Sequence, residues 1–537
     1  MDIDPIRLEV YKHLLSAIPE EMGAVLRKGS YSPNIKERRD YSCAIFDASG
    51  EMVAQAAHIP VHLGSMPLSV TSAVNSFDRV NPGDVIILND PFRGGTHLPD
   101  ITLVSPVYIP GLDGTEKLFG FVASRAHHAD VGGMAPGSMP VAREIYQEGL
   151  ILPPIKLVEG GKLNQGVWDL ILANVRTPVE RAGDLAAQLA ANQRGVNRLQ
   201  ALVSRYGEQE VAKYTQALLA YAEKMTRQLL RDLPEGVYRF QDLLDDDGIH
   251  PEPIPISVSI EIKGDQATVD FSGTAEQAAG SVNAVFAITL SAVFYVFRCL
   301  IGLDIPNNSG CLRPIRVIAP AGTVVNAKHP AAVAGGNVET SQRIVDVLFG
   351  ALAQACPVRV PAASQGSMNN LLIGGWDNRR SSPFTYYETI AGGAGARPGK
   401  DGPSAIHTHM TNTLNTPIEA LEFTYPLRVL RYEIRRGSGG SGLFQGGNGV
   451  RRDIQLLTDA QVTLLTERRR TSPYGLAGGN PGEPGQNCLI RDGEEQSLPG
   501  KGSFYLKRGD ILSIRTPGGG GYGDIRGGKA KHGDSSD

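Results

Sequence analysis

Five side chains able to ligate a metal or move a proton fall in one stretch, from NDPFRGGTHLPDITLVSP to FVASRAHHADVGG: His97, Asp100, His127, His128 and Asp130. Imidazole nitrogens and carboxylate oxygens from adjoining segments hold divalent ions such as Zn, Mn or Fe. His97 and Asp100 follow the apolar run VIILND, in a loop carrying Pro91, Gly94, Gly95 and Pro99. That places them at a strand exit, where one turn can bring both heads to a point. The second cluster ends the alternating run FGFVASRAHH. Neighbours on a strand point to opposite faces, so one of His127 and His128 is expected at the ion and the other in a structural or substrate contact. A lone His-x-x-Asp is commonly only a polar turn. The added histidine pair and aspartate shift the reading toward a metal or catalytic site.

The elements that must position this stretch begin with a helix expected over Pro5 to Arg27, on the spacing of Ile6, Val10, Leu14 and Ile18, with Pro19 kinking or ending it. YSCAIFD and EMVAQ read as a hairpin turning at Asp47–Gly50, with Asp40 at its entrance behind the charged run Lys36 to Arg39, which reads as solvated. HIPVHLGSMPLSV leads into a short helix and then the Val85–Asn89 strand. After Gly133 comes mostly loop. A helical section follows, about 166–231, with an apolar stripe of Leu185, Leu189, Val196, Leu199, Leu202 and Val203. Asp184, Gln188, Asn192 and Arg194 read as its solvated face.

Beyond Pro234 the pattern turns to strands, with a hairpin at Lys263–Asp265 and the apolar segment AVFAITLSAVFYVFRCLIG as a core helix. The triplet Asp245–Asp247 reads as a solvated turn. The last third is rich in loops. A helix is expected over Val338–Leu352, with Gly335-Gly336-Asn337 at its start as an anion site or with Asn337 as its N-cap. His407 and His409 are expected on one face of a short strand, as a second constellation able to contact substrate. The fold class expected is α+β, a multi-unit protein with mixed sheets. Its units are 1–165 (with the metal candidates), 166–236 (helical), 237–360 (β-rich with the buried helix) and 361–537 (Gly-rich).

Composition narrows the function classes. At 537 residues the chain exceeds a single core. A net charge of −4 offers no broad basic field, so neither nucleic acid nor an anionic membrane is an expected partner. Glycine is abundant (63) without a collagen period, and the stretches near 391–402, 437–449 and 517–528 read as tight loops where backbone approaches backbone or ligand. The five cysteines, an odd number with no CxxC pair, suit reduced thiols in the cytoplasm. No apolar run reaches membrane length, and no h-region of a signal peptide is visible. The sequence carries no Gly-x4-Gly-Lys-Ser/Thr loop and no GxSxG elbow, so ATP is not expected to bind here through a P-loop.

Taken together, NIKERRDYSCAIFD, HLGSM, NDPFRGGTHLPDITLVSPV, SRAHHADVGG, AGGNVETSQR, SQGSMNN, HTHMTNT and TPGGGGYGD resemble the hydantoinase B/5-oxoprolinase family over about residues 3–525. The resemblance implies a chain that works with a hydantoinase A-type subunit, which carries an actin/hexokinase-like site for Mg-ATP and in some members is fused to it. A hetero-oligomer such as A2B2 is then expected. Such enzymes open cyclic amides (N-methylhydantoin, 5-oxoproline, caprolactam) or carboxylate ketones such as acetone and acetophenone, in both cases through a phosphorylated intermediate. The implied metal site is Asp40, His97, Asp100 and a downstream histidine, His127 or His128. His127 is carried forward as the ligand, with His128 and Asp130 as general-base or orienting residues. ATP-dependent cyclic-amide hydrolysis is the preferred expectation, ketone carboxylation the alternative, and a scaffold whose His and Asp residues only brace loops the third.

Overall fold

The computed structural model describes residues 3–525 except 57, 112–113 and 303. The stretch that carries the candidate ligands lies in a seven-stranded sheet of order β2-β1-β5-β4-β3-β6-β7. In chain order its strands are β1 (Tyr41–Asp47), β2 (Met52–Gln55), β3 (Val85–Leu88), β4 (Asp100–Pro110), β5 (Glu116–His127), β6 (Ile155–Glu159) and β7 (Lys162–Leu163). All pairings in this sheet are antiparallel. The expected β1–β2 hairpin forms. Asp47 caps its turn by accepting from the Ser49 and Glu51 amides, and Gly50 supplies the positive φ of 86°.

Both faces of this sheet are covered, and the period of two sorts the side chains between them. Tyr41, Cys43, Ile45 and Val122 pack against helices Pro5–Gly29 and Pro178–Tyr206. Ala44, Phe46, Phe121 and Ala123 face the Met66–Asn75 helix and Phe294 of the Phe286–Ile301 helix. Burial on two sides is why β4 and the second half of β5 read as nearly continuous buried runs.

Several expectations are corrected. The first helix runs through Pro19 to Gly29, and its buried stripe is Tyr11, Leu15, Ile18, Met22 and Leu26, while Ile6 and Val10 are exposed. Packing against the sheet outweighs the backbone hydrogen bond that proline removes. Of the expected solvated face of the Pro178–Tyr206 helix, Arg194 is exposed as expected, but Asp184, Gln188 and Asn192 are sealed from solvent. Gln188 and Asn192 hold the helix to the sheet, since Gln188 donates to the Ile101 carbonyl (3.0 Å) and Asn192 to that of Leu103 (3.1 Å). Asp184 accepts from the Tyr31 and Ser32 amides at 2.8 and 3.0 Å.

Arg38, expected in a solvated charge run, is fully buried and donates to Tyr387 O and Thr389 Oγ1. Asp245 and Asp247 are buried too, and Asp245 accepts from the Arg469 and Thr471 amides.

The remaining sheets comprise Gly236–Leu244, Ile254–Lys263, Gln266–Asp270 and Ile315–Ile318, and two further sheets of four and five strands in the last third. The expected hairpin turns at Gly264, and Phe286–Ile301 is the expected core helix. The Gln266–Asp270 and Ile315–Ile318 strands pair parallel, so this sheet is mixed. The Gly-rich loops pack backbone on backbone. A Cβ on Gly393 would lie 1.9 Å from Gly447 O, and one on Gly519 would lie 2.0 Å from Ala394 O.

Candidate metal centre

The centre forms where three adjacent strands end together. Asp100 opens β4 and stands directly across from His127, the last residue of β5. On the other side of β5, β1 begins at Tyr41, and the His127 amide donates to Asp40 O at 3.0 Å. Register alone therefore sets Asp40, His127 and Asp100 side by side. His97 joins from the preceding loop through a tight turn closed by the Asp100 amide on His97 O (3.1 Å).

His97, Asp100 and His127 offer ligand atoms that all lie within 4.8 Å of one another, and all three residues are buried. Asp100 Oδ1 lies 3.3 Å from His97 Nε2 and 3.4 Å from His127 Nδ1, with the two rings 5.0 Å apart. His97 Nδ1, His127 Nε2 and Asp100 Oδ1 are sealed from solvent without a hydrogen-bond partner. The atoms that meet are Asp100 Oδ1, His97 Nε2 and His127 Nδ1, at the spacing of N/O ligands around one divalent cation, while the unpaired His97 Nδ1 and His127 Nε2 are the far nitrogens of the two rings. Asp40 lies beside the trio but outside the 4.8 Å group, and Arg38 Nη2 approaches its carboxylate at 3.8 Å.

The electrostatics favour an ionised Asp100. Burial pushes the Asp100 carboxyl up, but His97, His62 and His127 outweigh it and leave the group well below the usual carboxylate range. Burial drives His127 and His62 below the ordinary imidazole value despite the pull of Asp100. For Asp40 burial prevails over His127 and Arg38, and its carboxyl is raised.

Four residues around the trio escaped the sequence reading: Thr96, His62, Ser42 and Tyr387. Thr96 Oγ1 donates to Asp100 Oδ2 at 2.6 Å, and His62 Nε2 lies 3.3 Å from the same oxygen, so one carboxylate oxygen is fastened while the other faces the imidazoles. Ser42 Oγ sits 2.8 Å from His62 Nδ1 and fixes that ring. The Tyr387 ring stacks on His127 at 4.5 Å and 17°. Asn337, expected as a helix cap or anion site, lies instead in a π turn (Gly336–Thr340), and its Nδ2 is 3.0 Å from His97 Nε2. The HLGSM motif held a signal for His62; nothing local marked Tyr387.

The other expected site residues are not brought to the trio. His128 points to the helix side, with Nε2 2.9 Å from Gln188 Oε1, and burial lowers its imidazole to about 4. Asp130 is held by Arg176 (2.9 Å) and accepts from the Gly132 and Arg176 amides. His407 and His409 do not share a strand face, because the backbone turns there with φ 58° at His409. His409 Nδ1 lies 3.3 Å from Tyr295 OH, while both ring nitrogens of His407 are without a partner. Burial lowers both rings to about 4.

Comparison with known proteins adds a family. Residues 4–525 match the family described as hydantoinase B/oxoprolinase. An uncharacterized protein of Methanocaldococcus jannaschii is 46% identical over 97% of this chain and 91% of its own. 5-Oxoprolinase 1 of Arabidopsis thaliana is 40% identical over 97% of this chain, which spans only 42% of that protein. A Pseudomonas sp. chain, provisionally assigned as the B component of a D-/L-hydantoinase, is 33% identical, covering 97% of this chain and 90% of its own. Among solved structures, the ATP-dependent caprolactamase of Pseudomonas jessenii superposes with a TM-score of 0.90 at 32% identity, over 98% of this chain and 92% of its own. A nucleotide-free acetone carboxylase superposes at 0.89 over 97% of this chain and 76% of its own, and at 18% identity this shows a shared fold alone.

Proposed function

The chain belongs to the hydantoinase B/oxoprolinase family, and on that premise we propose that it is the ring-opening component of an ATP-dependent cyclic-amide hydrolase. In this reading a separate A-type chain binds Mg-ATP and phosphorylates the substrate, and the two associate as a hetero-oligomer such as A2B2. Support for division between two modules comes from chain lengths: this chain spans about two-fifths of the 5-oxoprolinases but nine-tenths of the Pseudomonas hydantoinase component.

The observation that carries the reading is the buried His97–Asp100–His127 trio, with His97 Nε2 and His127 Nδ1 at 3.3 and 3.4 Å from Asp100 Oδ1. A divalent ion held there, with Asp40 as a further ligand, would polarise a carbonyl and lower the pKa of water toward about 7. The chain's own residues do the positioning. Thr96 and His62 hold Asp100 by one oxygen, so its other oxygen keeps a fixed aim at the imidazoles. Overall, lactam, ATP and two waters give the ring-opened amino acid, ADP and phosphate. One water adds at the carbon whose oxygen bears the transferred phosphoryl group, and the C–N bond breaks with the nitrogen taking its protons from water. The second water releases phosphate from the acyl phosphate. His128 and Asp130 act here as structural residues.

Ketone carboxylation is the second reading, supported by the fold shared with acetone carboxylase. Hydrolysis is preferred because the caprolactamase and the 5-oxoprolinases are much closer in sequence. The test is metal analysis of the purified chain, followed by turnover of lactams and ketones with its A-type partner, with and without bicarbonate. Stoichiometric metal and bicarbonate-independent lactam opening are expected. Absence of bound metal, or turnover that requires bicarbonate, would overturn the hydrolase reading.

A further inference from the structure

We propose that the π turn Gly336–Thr340 is the positioning device of the candidate metal centre, holding His97 directly through Asn337 and His127 indirectly through Glu339. The inference rests on the metal reading above and concerns residues that never join the trio.

The turn is locked by its own surroundings. A Cβ on Gly336 would lie 1.8 Å from Asn283 O, and one on Gly335 would lie 2.9 Å from Ser281 O, so only glycine lets the backbone sit this close. Ser341 Oγ donates to Asn337 O at 2.7 Å, and Thr340 Oγ1 donates to Val282 O. Widened turns of this kind recur at functional sites because they re-aim side chains that a regular helix would stack over its own axis.

Two arms leave this locked turn. The first is Asn337, whose side chain meets His97 Nε2 at 3.0 Å and whose Oδ1 has no partner. Rotating the amide exchanges the two atoms, and the contact falls on Nε2, the nitrogen that also faces Asp100 Oδ1 at 3.3 Å, so Asn337 borders the ligand atom itself. The second arm is a relay. Glu339 Oε1 accepts from the Met368 amide at 3.0 Å and from Asn370 Nδ2 at 2.7 Å. Asn370 Oδ1 accepts from Tyr387 OH at 3.0 Å, and the Tyr387 ring stacks on His127. Each link is buried, so water does not compete for these contacts. One short segment therefore sets the separation of the two imidazoles. Burial, with Glu467 nearby, raises the Glu339 carboxyl to about 8, which keeps a proton on it at neutral pH and spares the core an unpaired charge.

The experiment measures metal affinity by chelator competition, and the visible spectrum of the cobalt-loaded chain, for the full-length wild type, Asn337→Ala, Glu339→Ala, Glu339→Gln and Tyr387→Phe. Asn337→Ala and Glu339→Ala should weaken metal binding by about 10- to 100-fold and shift the cobalt bands. Glu339→Gln, which keeps the accepting oxygen, should restore wild-type affinity, a rescue that a generic packing defect would not give. Tyr387→Phe keeps the stacked ring, cuts only its tether, and should shift the cobalt bands; it decides the second arm if Glu339→Ala does not fold. A wild type that binds metal while these variants match it in affinity and spectrum overturns the inference alone. A wild type that binds no metal overturns the proposed function and this inference with it.

Discussion

Asp100 and His127 face each other across two antiparallel strands at the point where both strands end, with His127 Nδ1 3.4 Å from Asp100 Oδ1. The next residue, His128, turns its ring to the opposite side and meets Gln188. This pair separates two roles that adjacent histidines leave merged. His127→Ala should abolish lactam opening and remove the bound metal with the fold intact. His128→Ala should keep the metal and lose about 1–3 kcal/mol of stability, because it strands a buried amide. Metal content, turnover and urea denaturation of the two variants check this; loss of metal in His128→Ala would reverse the assignment.

Purified alone, the chain should show neither ATPase nor lactam hydrolysis, and addition of its A-type partner should produce both. With the partner present, His97→Ala should retain part of the ATPase activity, uncoupled from ring opening, because phosphorylation is assigned to the other chain. Phosphate release and lactam loss measured on the same sample decide it.

Glu148 gives a pH dependence whose sign is fixed. Its carboxyl is buried, accepts from the Val333 and Ala334 amides, and is raised by burial from 4.5 to about 8. Between those values the folded chain holds a proton that the unfolded chain has released. Stability therefore falls as pH rises through this window, by up to about 1.4 kcal/mol per pH unit from this group. Glu148→Gln should flatten that slope in denaturation curves taken between pH 5 and 8.

Asp184→Ala tests the buried polar seam between the Pro178–Tyr206 helix and its neighbours. It removes the acceptor of two backbone amides and the 2.9 Å partner of Arg181, itself buried. Glu180 still pairs with that guanidinium at 3.3 Å, so the loss of its buried partner and of the two amides' acceptor should cost about 2–4 kcal/mol, read as a lower urea midpoint. A loss below about 1 kcal/mol would place Asp184 among solvated residues, where the helical pattern alone had put it.

The amphipathic reading failed at that helix for a general reason. Periodicity separates apolar from polar side chains, but it does not report whether a polar face meets water or strand carbonyls. Gln188 and Asn192 look solvated in sequence and are buried because the sheet beneath them offers hydrogen-bond partners. Arg38 escaped for the same reason, its partners Tyr387 and Thr389 lying some 350 residues further on.

What the sequence determined by itself was the local part of the centre. The His97–Asp100 turn, the strand that ends at His127 and the opposite facing of His128 follow from spacing and from the period of a strand, both short-range properties of the backbone. The β1–β2 hairpin and the buried Phe286–Ile301 helix were legible on the same grounds. Only the tertiary structure decided which histidine meets Asp100, because two neighbouring residues point to opposite faces and the packing on each face selects between them. It alone brought His62 and Thr96 onto one oxygen of Asp100, Asn337 onto His97 across 240 residues, and Tyr387 onto His127. Such contacts depend on the path of the whole chain, and no spacing within a single segment encodes where that path returns.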